Sequence, residues 1–373
     1  MSQSSILVIA KAIPPFIGGI EAYSAEIASA YVQCGLRVTL LTPEACIVPG
    51  VDGRLNRSPQ GAKAAPQWIA LVKILASLWH LRKKEWSWVH ATSWRMALPV
   101  LLMGTGRRLV ISVHGREVTG QQGLMARLAG WVLRKARLIV YVSEATRREV
   151  HHYFPELVTA SSVVAWNGTS FSESRPAGEV SANLRDPLRI LTVARLVKRK
   201  NLAFAVAAVA KLSSEITRPV SYVITGTGAE REAVARAIRD AGVLNGEIKL
   251  AGYVSDGELQ CLYRDADIFF HPQSSAHDAS DVEGFGISIV DAMSHGVPVV
   301  CGKDGGPSEY ISHGENGFLV GGLDLGEAVD CLSLLASNQA LRQRIGEAGR
   351  SFVREHMSWP NHVSKVLKEL AAH

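Results

Sequence analysis

The chain has 373 residues, of which 47% are apolar and 20% are charged, and its net charge is +6. This length predicts two domains of ordinary size, and this composition excludes a chain that is disordered as a whole. No apolar stretch reaches the roughly 20 residues that a membrane-spanning helix needs. The N-terminal sequence lacks the basic segment and cleavage site of a signal peptide, so we expect a cytoplasmic protein.

Short apolar runs alternate with amphipathic segments along the whole chain. In the first half we predict strands at residues 6–10, 37–42, 88–91, 109–113 and 138–142, with a helix at residues 20–34. In the second half we predict strands at residues 189–194, 221–225, 248–251, 268–271, 297–301 and 318–320, with helices between them. Residues 339–373 are predicted to be helical, with an interruption near residues 358–360. This alternation predicts an α/β protein with parallel sheets and right-handed crossovers.

Residues 168–187 separate the two halves and are rich in Ser, Pro, Gly and Asn. We predict an N-terminal domain of residues 1–172, a linker of residues 173–187 and a C-terminal domain of residues 188–356. Ligands of such sheets bind outside the carboxyl ends of the strands, so we expect a ligand between two lobes.

The cysteines stand alone in the sequence, with no Cys-x-x-Cys pair. This spacing argues against a zinc site and against a disulfide framework, and it predicts reduced thiols. They are Cys34, Cys46, Cys261, Cys301 and Cys331.

The segment 283–300 carries the clearest functional signal. Glu283, Gly284 and Gly286 precede a predicted helix, and a second acid, Asp291, follows eight residues after the first. A helix N-terminus behind flexible backbone can bind phosphate, and carboxylates there can reach sugar or ribose hydroxyls. The pattern suits a sugar nucleotide.

Further turns of the same kind follow other predicted strands. Arg195 and Lys200 lie between a strand and a helix, where cations can neutralise a diphosphate, although a solvated basic turn is the alternative. Two more turns in the second half and two in the first half complete the candidate set: Gly226 with Gly228, Gly305-Gly306 with Glu309, Gly18-Gly19 with Glu21, and His114-Gly115.

Taken in chain order, these motifs resemble the family 4 glycosyltransferases of the GT-B fold over nearly the whole sequence. The resemblance rests on Gly18-Gly19, His114, Asn167-Gly168, Arg195 with Lys200, Gly226 with Gly228, and the two acids followed by Gly305-Gly306. It implies two Rossmann-like domains that face each other across a cleft, with a C-terminal helix at residues 359–373 that returns to the N-terminal domain.

The resemblance also implies a function. It implies a retaining hexosyltransferase that moves a hexose-type sugar from a nucleotide diphosphate sugar to a saccharide or lipid-linked acceptor. The corresponding pathways would be the synthesis of cell-surface polysaccharide, lipopolysaccharide or glycolipid. It implies no cofactor and no metal, because cationic side chains and helix dipoles replace the metal ion.

Site residues follow from the resemblance position by position. The implied catalytic residues are Glu283, His114, Arg195 and Lys200. The implied donor-binding residues are Gly18, Gly19, Arg195, Lys200, Gly226, Gly228, Glu283, Gly284, Phe285, Gly286, Asp291 and Glu309. Asp291 departs from the family pattern, which has Glu at this position. Because Asp is one methylene shorter, either its contact with ribose is looser or its helix lies closer to the ribose.

Several alternatives remain at this stage. Another two-lobe sugar-nucleotide enzyme, such as an epimerase, and a non-catalytic sugar-nucleotide-binding scaffold are both possible. A dehydrogenase is disfavoured because no complete dinucleotide fingerprint follows any strand. Residues 274–282 either shape sugar choice or form a solvated insertion, and the insertion is preferred. Asp265 and Asp267 look like an Asp-x-Asp metal motif, but we interpret them as structural.

Charge is unevenly distributed between the two halves. Residues 1–166 contain 19 Lys and Arg against 9 Asp and Glu, whereas residues 167–373 contain 21 against 25. Basic helices with tryptophan are predicted at residues 67–84 and 124–137, and such helices can lie at an anionic membrane surface. The alternative is that they pack on the core with a solvated polar edge. We therefore expect peripheral association with the inner face of the cytoplasmic membrane, and no nucleic acid partner.

Overall fold

The computed structural model describes residues 4–14, 18–42, 52–53, 79, 85–102, 104, 108–169, 186–243, 246–276, 278 and 281–372. The chain divides into two compact units. The first unit comprises Met1–Gly168 and Ser358–His373, and the second unit comprises Thr169–Met357. Along the chain, the second unit is therefore inserted between two parts of the first.

The first unit contains a parallel sheet with the strand order β3-β2-β1-β4-β5-β6-β7. The strands are β1 Ser5–Ile9, β2 Arg37–Leu41, β3 Asp52–Gly53, β4 Trp88–Ala91, β5 Leu109–Val113, β6 Leu138–Tyr141 and β7 Ser162–Val164. The helices whose bounds are described before the second unit are α1 Gly19–Gln33, α2 Trp94–Leu102, α3 Arg116–Thr119, α4 Gly123–Arg134 and α5 Glu144–Tyr153.

The second unit contains a parallel sheet with the strand order β10-β9-β8-β11-β12-β13. Its strands are β8 Leu188–Val193, β9 Val220–Thr225, β10 Gly246–Gly252, β11 Ile268–His271, β12 Val299–Gly302 and β13 Phe318–Val320. Its helices are α6 Leu202–Glu215, α7 Arg231–Asp240, α8 Asp256–Asp265, α9 Ile287–Ser294, α10 Leu325–Ser337 and α11 Gln339–His356. The last helix, α12 Trp359–Ala372, belongs to the first unit.

Both faces of each sheet are covered, which explains the nearly continuous apolar runs of the strands. In β1, Ile6 and Val8 face a layer that includes α1 and α12, whereas Leu7 and Ile9 face a layer that includes α2, α4 and α5. In the second unit, one face of the sheet packs against α6, α7 and α10. The α/β class and the two Rossmann-like units confirm the predicted fold class.

Local sequence signals mark the starts of several helices. Ser143 caps α5 by accepting a hydrogen bond from the Thr146 backbone N–H. Ser255 and Glu258 form a reciprocal capping box at the start of α8. Each such cap satisfies backbone donors that have no partner inside the helix.

The C-terminal helix returns to the first unit, which agrees with the fold predicted from the sequence. Trp359 and Val363 of α12 are buried against α1 and the sheet. Val366 and Leu370 are buried beside β5 and β6. A Cβ atom on Gly168 would lie 2.6 Å from the Trp359 backbone nitrogen, so within the first unit the start of α12 packs directly against Gly168.

A buried chain of hydrogen bonds also ties α12 to the first unit. Tyr31 Oη lies 2.9 Å from His90 Nδ1, and His90 Nε2 lies 2.7 Å from Ser112 Oγ. Ser112 Oγ lies 2.7 Å from Tyr23 Oη, which lies 3.1 Å from His362 Nε2. At the end of the chain, His362 Nδ1 lies 3.1 Å from the Trp166 carbonyl. Because a carbonyl only accepts, His362 donates from Nδ1, and every other bond then has one consistent direction. Burial lowers the pKa of His90 to about 3 and that of His362 to about 4, so both imidazoles are neutral near pH 7.

Candidate active site

The second sheet reverses its strand order between β8 and β11. The loop after β8 carries Arg195, Arg199 and Lys200, and the segment after β11 leads to Asp281 and Glu283. In open α/β sheets, the crevice outside such a switch point is the usual place for a ligand. The cations and carboxylates named by the sequence therefore meet at the position that the topology favours.

Four buried charges form a compact cluster at this switch point. Arg199 Nη1 lies 3.0 Å from Asp281 Oδ1, and Arg199 Nε lies 3.3 Å from Glu283 Oε2. Lys200 Nζ also donates to Glu283 Oε2. The side chains are between 5% and 11% exposed. Two cations and two carboxylates compensate one another, which buried ions require.

The electrostatics of the cluster favour the charged state of Glu283. Burial alone would raise the pKa of Glu283, but Lys200 and Arg199 hold it well below its usual range. Burial lowers the pKa of Lys200, whereas the neighbouring Glu283 carboxylate raises it. Burial would also lower the pKa of Arg199, but Glu283 and Asp281 raise it above its ordinary value.

Glu283 Oε1 and the Arg195 guanidinium are available to a ligand. Both cations reach Oε2 of Glu283, and no partner for Oε1 is found among the described residues. Arg195 is exposed, and its charge contributes to the lowered pKa of Lys200, which places it close to the cluster. The arrangement thus offers one carboxylate oxygen and one exposed guanidinium.

The segment after Glu283 forms the start of α9. Gly286 precedes the helix in a left-handed conformation with φ of 86°, and Ile287 is the first helical residue. Phe285 is buried, and its carbonyl accepts a hydrogen bond of 2.7 Å from Tyr310 Oη. The Glu283 carbonyl accepts 2.9 Å from the Gly306 backbone N–H, so this turn packs against the turn that follows β12.

Asp291, the acid that departs from the family pattern, lies in α9 and is buried. Its Oδ1 accepts a hydrogen bond of 2.9 Å from Thr169 Oγ1. The Thr169 hydroxyl thus approaches the shorter carboxylate. Thr169 directly follows Asn167-Gly168 in the chain. The sequence alone did not indicate that this motif leads to a contact with Asp291.

The glycine turn after β9 adjoins the Arg195 loop. Leu196 N–H donates 2.9 Å to the Thr227 carbonyl, and Glu230 N–H donates 2.9 Å to the Leu196 carbonyl. A Cβ atom on Gly226 would lie only 1.9 Å from the Ala194 carbonyl oxygen. Gly228 lies in the same turn, whereas Glu309 ends the short 3-10 helix Gly306–Glu309 and is half-buried.

The first unit holds the remaining candidate residues. Gly18 precedes α1, Gly19 begins it, and a side chain at Gly18 would meet the Glu21 carboxylate. His114 follows β5, and its Nε2 lies 3.0 Å from the Thr92 carbonyl. Because a carbonyl only accepts, Nε2 donates this hydrogen bond.

Two neighbouring groups hold His114 in place. Its backbone N–H donates 2.6 Å to Glu117 Oε1, and the Tyr23 ring meets its imidazole edge-on at 4.6 Å. The candidate ring is thus fixed by backbone, carboxylate and aromatic contacts.

Some site features were missed or misinterpreted from the sequence. Arg199, His271 and Gln273 were not predicted, although Arg199 lies within a basic run and His271 ends a predicted strand. The preferred interpretation of residues 274–282 as a solvated insertion is wrong for Ser274 and Asp281, which are buried. Asp281 pairs with Arg199, so the end of this segment is part of the cluster.

The Asp-x-Asp pattern lies at the opposite, amino end of β11. Asp267 Oδ2 accepts 2.9 Å from the Arg189 backbone N–H and lies 3.6 Å from Arg218 Nη2. These contacts agree with the structural interpretation of this acid. Within the described ranges, no group of three or more His, Cys, Asp or Glu residues is arranged to hold a metal ion. Among the described helices, none has the length and hydrophobicity to span a bilayer.

Family models match both halves of the chain. The model described as Glycosyltransferase Family 4 matches residues 17–170, and the model described as Glycosyl transferases group 1 matches residues 179–352. A GDP-mannose-dependent alpha-(1-6)-phosphatidylinositol monomannoside mannosyltransferase of Mycobacterium tuberculosis is 26% identical, with coverage of 98% of this chain and 97% of the relative.

Solved structures share the fold. Sucrose-phosphate synthase (tll1590) from Thermosynechococcus elongatus has a TM-score of 0.79 at 18% identity, covering 99% of this chain and 100% of that one. Anabaena Alr3699/HepE in complex with UDP and glucose has a TM-score of 0.76 at 18% identity, with full coverage of both chains.

The fold and the charge cluster at its switch point define a GT-B glycosyltransferase that uses a nucleotide sugar. With both halves matched, the chain belongs to the family 4-like glycosyltransferases, and it is an enzyme of the hexosyltransferase class. The predicted family and enzyme class are thereby confirmed.

Proposed function

We propose that the enzyme transfers a hexose, with retention of configuration, from a nucleoside diphosphate hexose bound at the second unit. Arg195, Lys200 and the N-terminus of α9 bind the diphosphate, and Glu283 Oε1 accepts hydrogen bonds from sugar hydroxyls. Asp291 binds the ribose, and His114 contacts the transferred sugar. The observation that carries this proposal is the buried Lys200–Glu283–Arg199 cluster at the switch point.

The chemistry follows from the charges. The bond between sugar C1 and the diphosphate oxygen breaks, and its electron pair stays on the diphosphate. Arg195 and Lys200 stabilise that developing charge in a partly dry site. The acceptor hydroxyl forms the new bond to C1 on the face that the diphosphate leaves, and its proton passes to a diphosphate oxygen.

Turnover of site variants tests this placement. Glu283→Gln and Lys200→Met are each expected to lower kcat/KM by about 100-fold or more, because each removes a charge that acts on the donor. Lys211→Met and Glu215→Gln are matched controls, since Lys211 Nζ and Glu215 Oε1 form an exposed pair at 2.5 Å on α6. Full activity of either site variant would refute the placement of the site.

The donor is identified by calorimetry with UDP, GDP, ADP and dTDP, without acceptor or added metal. GDP-mannose is the first complete donor to test, because the name of the mycobacterial relative describes that enzyme as GDP-mannose-dependent. We expect one nucleotide to bind selectively and chelator to leave turnover intact. Strict dependence on a divalent metal would contradict the cationic mechanism.

The proposed acceptor is a glycolipid or a growing polysaccharide. The name of the mycobacterial relative gives a phosphatidylinositol monomannoside as its acceptor, which supports a lipid-linked substrate. Transfer assays with a phosphatidylinositol monomannoside and with a lipid-free oligosaccharide distinguish these two acceptor classes. The anomeric coupling constant of the product, measured by NMR, tests retention.

We further propose that α4 docks the enzyme on an anionic membrane. Leu124 is 79% exposed and Trp131 is 38% exposed, seven residues apart on one face of the helix. Arg127, Arg134 and Lys135 are exposed beside them. Exposed apolar side chains with flanking cations suit the boundary between headgroups and acyl chains. The other predicted basic helix, at residues 67–84, lies outside the described residues except for position 79.

Vesicle sedimentation at low salt tests the membrane proposal. The protein is expected to pellet with vesicles of phosphatidylglycerol and phosphatidylcholine, and to be released by salt. Leu124→Ser with Trp131→Ser should abolish pelleting. Leu323→Ser is the control, because Leu323 of the second unit is 73% exposed. Equally poor pelleting with anionic and neutral vesicles would contradict this proposal.

A further inference from the structure

Lys200 is held by a chain of buried side chains that begins at the backbone of β12. Its Nζ lies 3.2 Å from His271 Nε2, and His271 Nδ1 lies 2.8 Å from Gln273 Oε1. Gln273 Nε2 in turn lies 2.6 Å from the Gly302 carbonyl, and the Gly302 N–H lies 3.2 Å from Gln273 Oε1. Lys200, His271 and Gln273 are all buried.

The backbone of Gly302 fixes every donor and acceptor in this chain. A carbonyl accepts and an N–H donates, so the Gln273 amide has a single orientation that satisfies both. Its Oε1 must therefore accept from His271 Nδ1–H. The Nε2 of a neutral imidazole is then an acceptor, which matches the Lys200 ammonium that faces it.

The protonation state of His271 agrees with this geometry. Burial and the nearby Lys200 charge lower the pKa of His271 to about 4. Near pH 7 the ring is therefore neutral, and its lone pair faces Lys200 Nζ.

An ammonium group has three N–H donors. Within the part of the chain that the structure describes, Lys200 Nζ has two acceptors, Glu283 Oε2 and His271 Nε2. One N–H thus remains. A lysine held by two fixed acceptors loses little further freedom when a third acceptor binds.

We propose that His271 and Gln273 are positioning residues that fix Lys200 so that its third N–H serves a phosphate oxygen of the donor. This inference rests on the proposed function, because it assumes that Lys200 binds the diphosphate. Both residues are buried and reach the donor only through Lys200 in this proposal. Their loss must therefore weaken binding of the diphosphate and leave binding of the nucleoside unchanged.

Calorimetry with the selected nucleoside diphosphate and its parent nucleoside tests the inference on the full chain. His271→Leu and Gln273→Leu are each expected to weaken diphosphate binding by about tenfold, as for a lost hydrogen bond to a charged group. Affinity for the nucleoside should stay constant. His271→Gln, which can place an acceptor oxygen near the former Nε2 position, should recover at least half of the lost binding energy.

A double-mutant cycle separates positioning from structural damage. In the Lys200→Met background, His271→Leu should cause no further loss of diphosphate affinity, because His271 acts on the phosphate only through the Lys200 ammonium. His90→Leu is the matched control, since it removes an equally buried neutral imidazole from the first unit and should leave diphosphate affinity unchanged. If the losses from Lys200→Met and His271→Leu multiply, or if nucleoside affinity falls equally, the positioning role is wrong.

The two proposals fail in different ways. Unchanged diphosphate binding in Lys200→Met would overturn the proposed donor site. A large effect of Lys200→Met with no effect of His271→Leu or Gln273→Leu would overturn only the positioning role. Retained nucleoside binding in each variant shows that the second unit is folded.

Discussion

At the scale of single residues, the buried charges of the second unit depend on one arginine that serves two acids. Arg199 bonds both Asp281 and Glu283, whereas Lys200 bonds only Glu283 among the acids of the cluster. Arg199 is thus the cation that bonds Asp281 directly, with its Nη1 3.0 Å from Asp281 Oδ1. Removing a buried cation costs more than the pair contributes, because the remaining carboxylate stays desolvated.

Arg199→Met is expected to destabilise the protein by about 3 kcal/mol for this reason. Adding Asp281→Asn removes the negative charge of the carboxylate that has lost its bond to Arg199, so the double variant should be more stable than Arg199→Met alone. Urea unfolding of both variants measures the difference. A double variant that is no more stable than the single one would show that charge compensation is not the cause.

Gly226 and Gly242 separate two costs of adding a Cβ atom. Both have positive φ, but a Cβ on Gly242 meets nothing within 4 Å, whereas one on Gly226 would overlap the Ala194 carbonyl. We expect Gly242→Ala to lower the free energy of unfolding by about 1 kcal/mol, because only its backbone conformation is strained. Gly226→Ala should cost about 3 kcal/mol and weaken diphosphate binding, because it displaces the Arg195 loop. Equal unfolding free energies for the two variants would contradict the close approach.

The sequence identified the charged residues of the site by type and by position after a strand, but it did not identify their partners. Arg199 and Lys200 are adjacent in a basic run, and sequence alone cannot show which of them reaches which acid. His271 ends an apolar run, and that position does not by itself mark it as functional. Its role depends on the backbone of β12, 31 residues further along the chain. Partners of this kind become visible only when two strands are placed side by side.

At the scale of elements, strands buried on both faces were the most predictable feature. All eleven predicted strands are present, and their ends differ from the prediction by at most two residues. β3 and β7 were not predicted, because they contain only two and three residues at the edges of the sheet. The predicted interruption near residues 358–360 falls between α11 and α12, which begins at Trp359 with Pro360 in its first turn, where proline is tolerated.

The docking of α12 should depend on pH through His362. Its pKa is about 4 in the folded chain against an ordinary value of 6.5, so the unfolded state binds more protons between these values. Stability is thus full above pH 6.5 and falls as the pH is lowered toward 4. At pH 5 the loss from His362 alone is about 2 kcal/mol.

Urea unfolding at pH 7 and pH 5 measures this effect. His362→Asn should show a stability difference between the two pH values that is smaller by about 2 kcal/mol than that of the unchanged protein. Titrating groups that do not interact with His362 contribute equally to both proteins and cancel. Identical pH dependence in the two proteins would exclude His362 as the source.

At the scale of the whole molecule, the two units share one chain but have separate cores. The core of the first unit includes residues from both ends of the chain, whereas the core cluster around β8 and α6 of the second unit is built from residues 188–345. A change at the C-terminal end should therefore affect the first unit, although its nearest neighbours in sequence belong to the second.

Trp359→Ala tests this separation. The indole is buried against α1, so its removal should destabilise the first unit by about 3 kcal/mol or more. Nucleoside diphosphate affinity, which we assign to the second unit, should not change. Thermal unfolding and calorimetry give the two readouts, and Trp131→Ala is the exposed control. A weakened nucleotide affinity in Trp359→Ala would contradict the assignment of the nucleotide to the second unit alone.

The late return of α12 has a consequence for how the protein is made. The ribosome synthesises the strands and α1 of the first unit, and then about 190 further residues before α12, which takes on the order of 10–40 s at 5–20 residues per second. Throughout that interval, the apolar surface that Trp359, Val363 and Val366 later cover has no native partner from this helix. The nascent chain can therefore finish its inserted unit before its first, and premature termination before residue 358 yields a first unit that lacks part of its core.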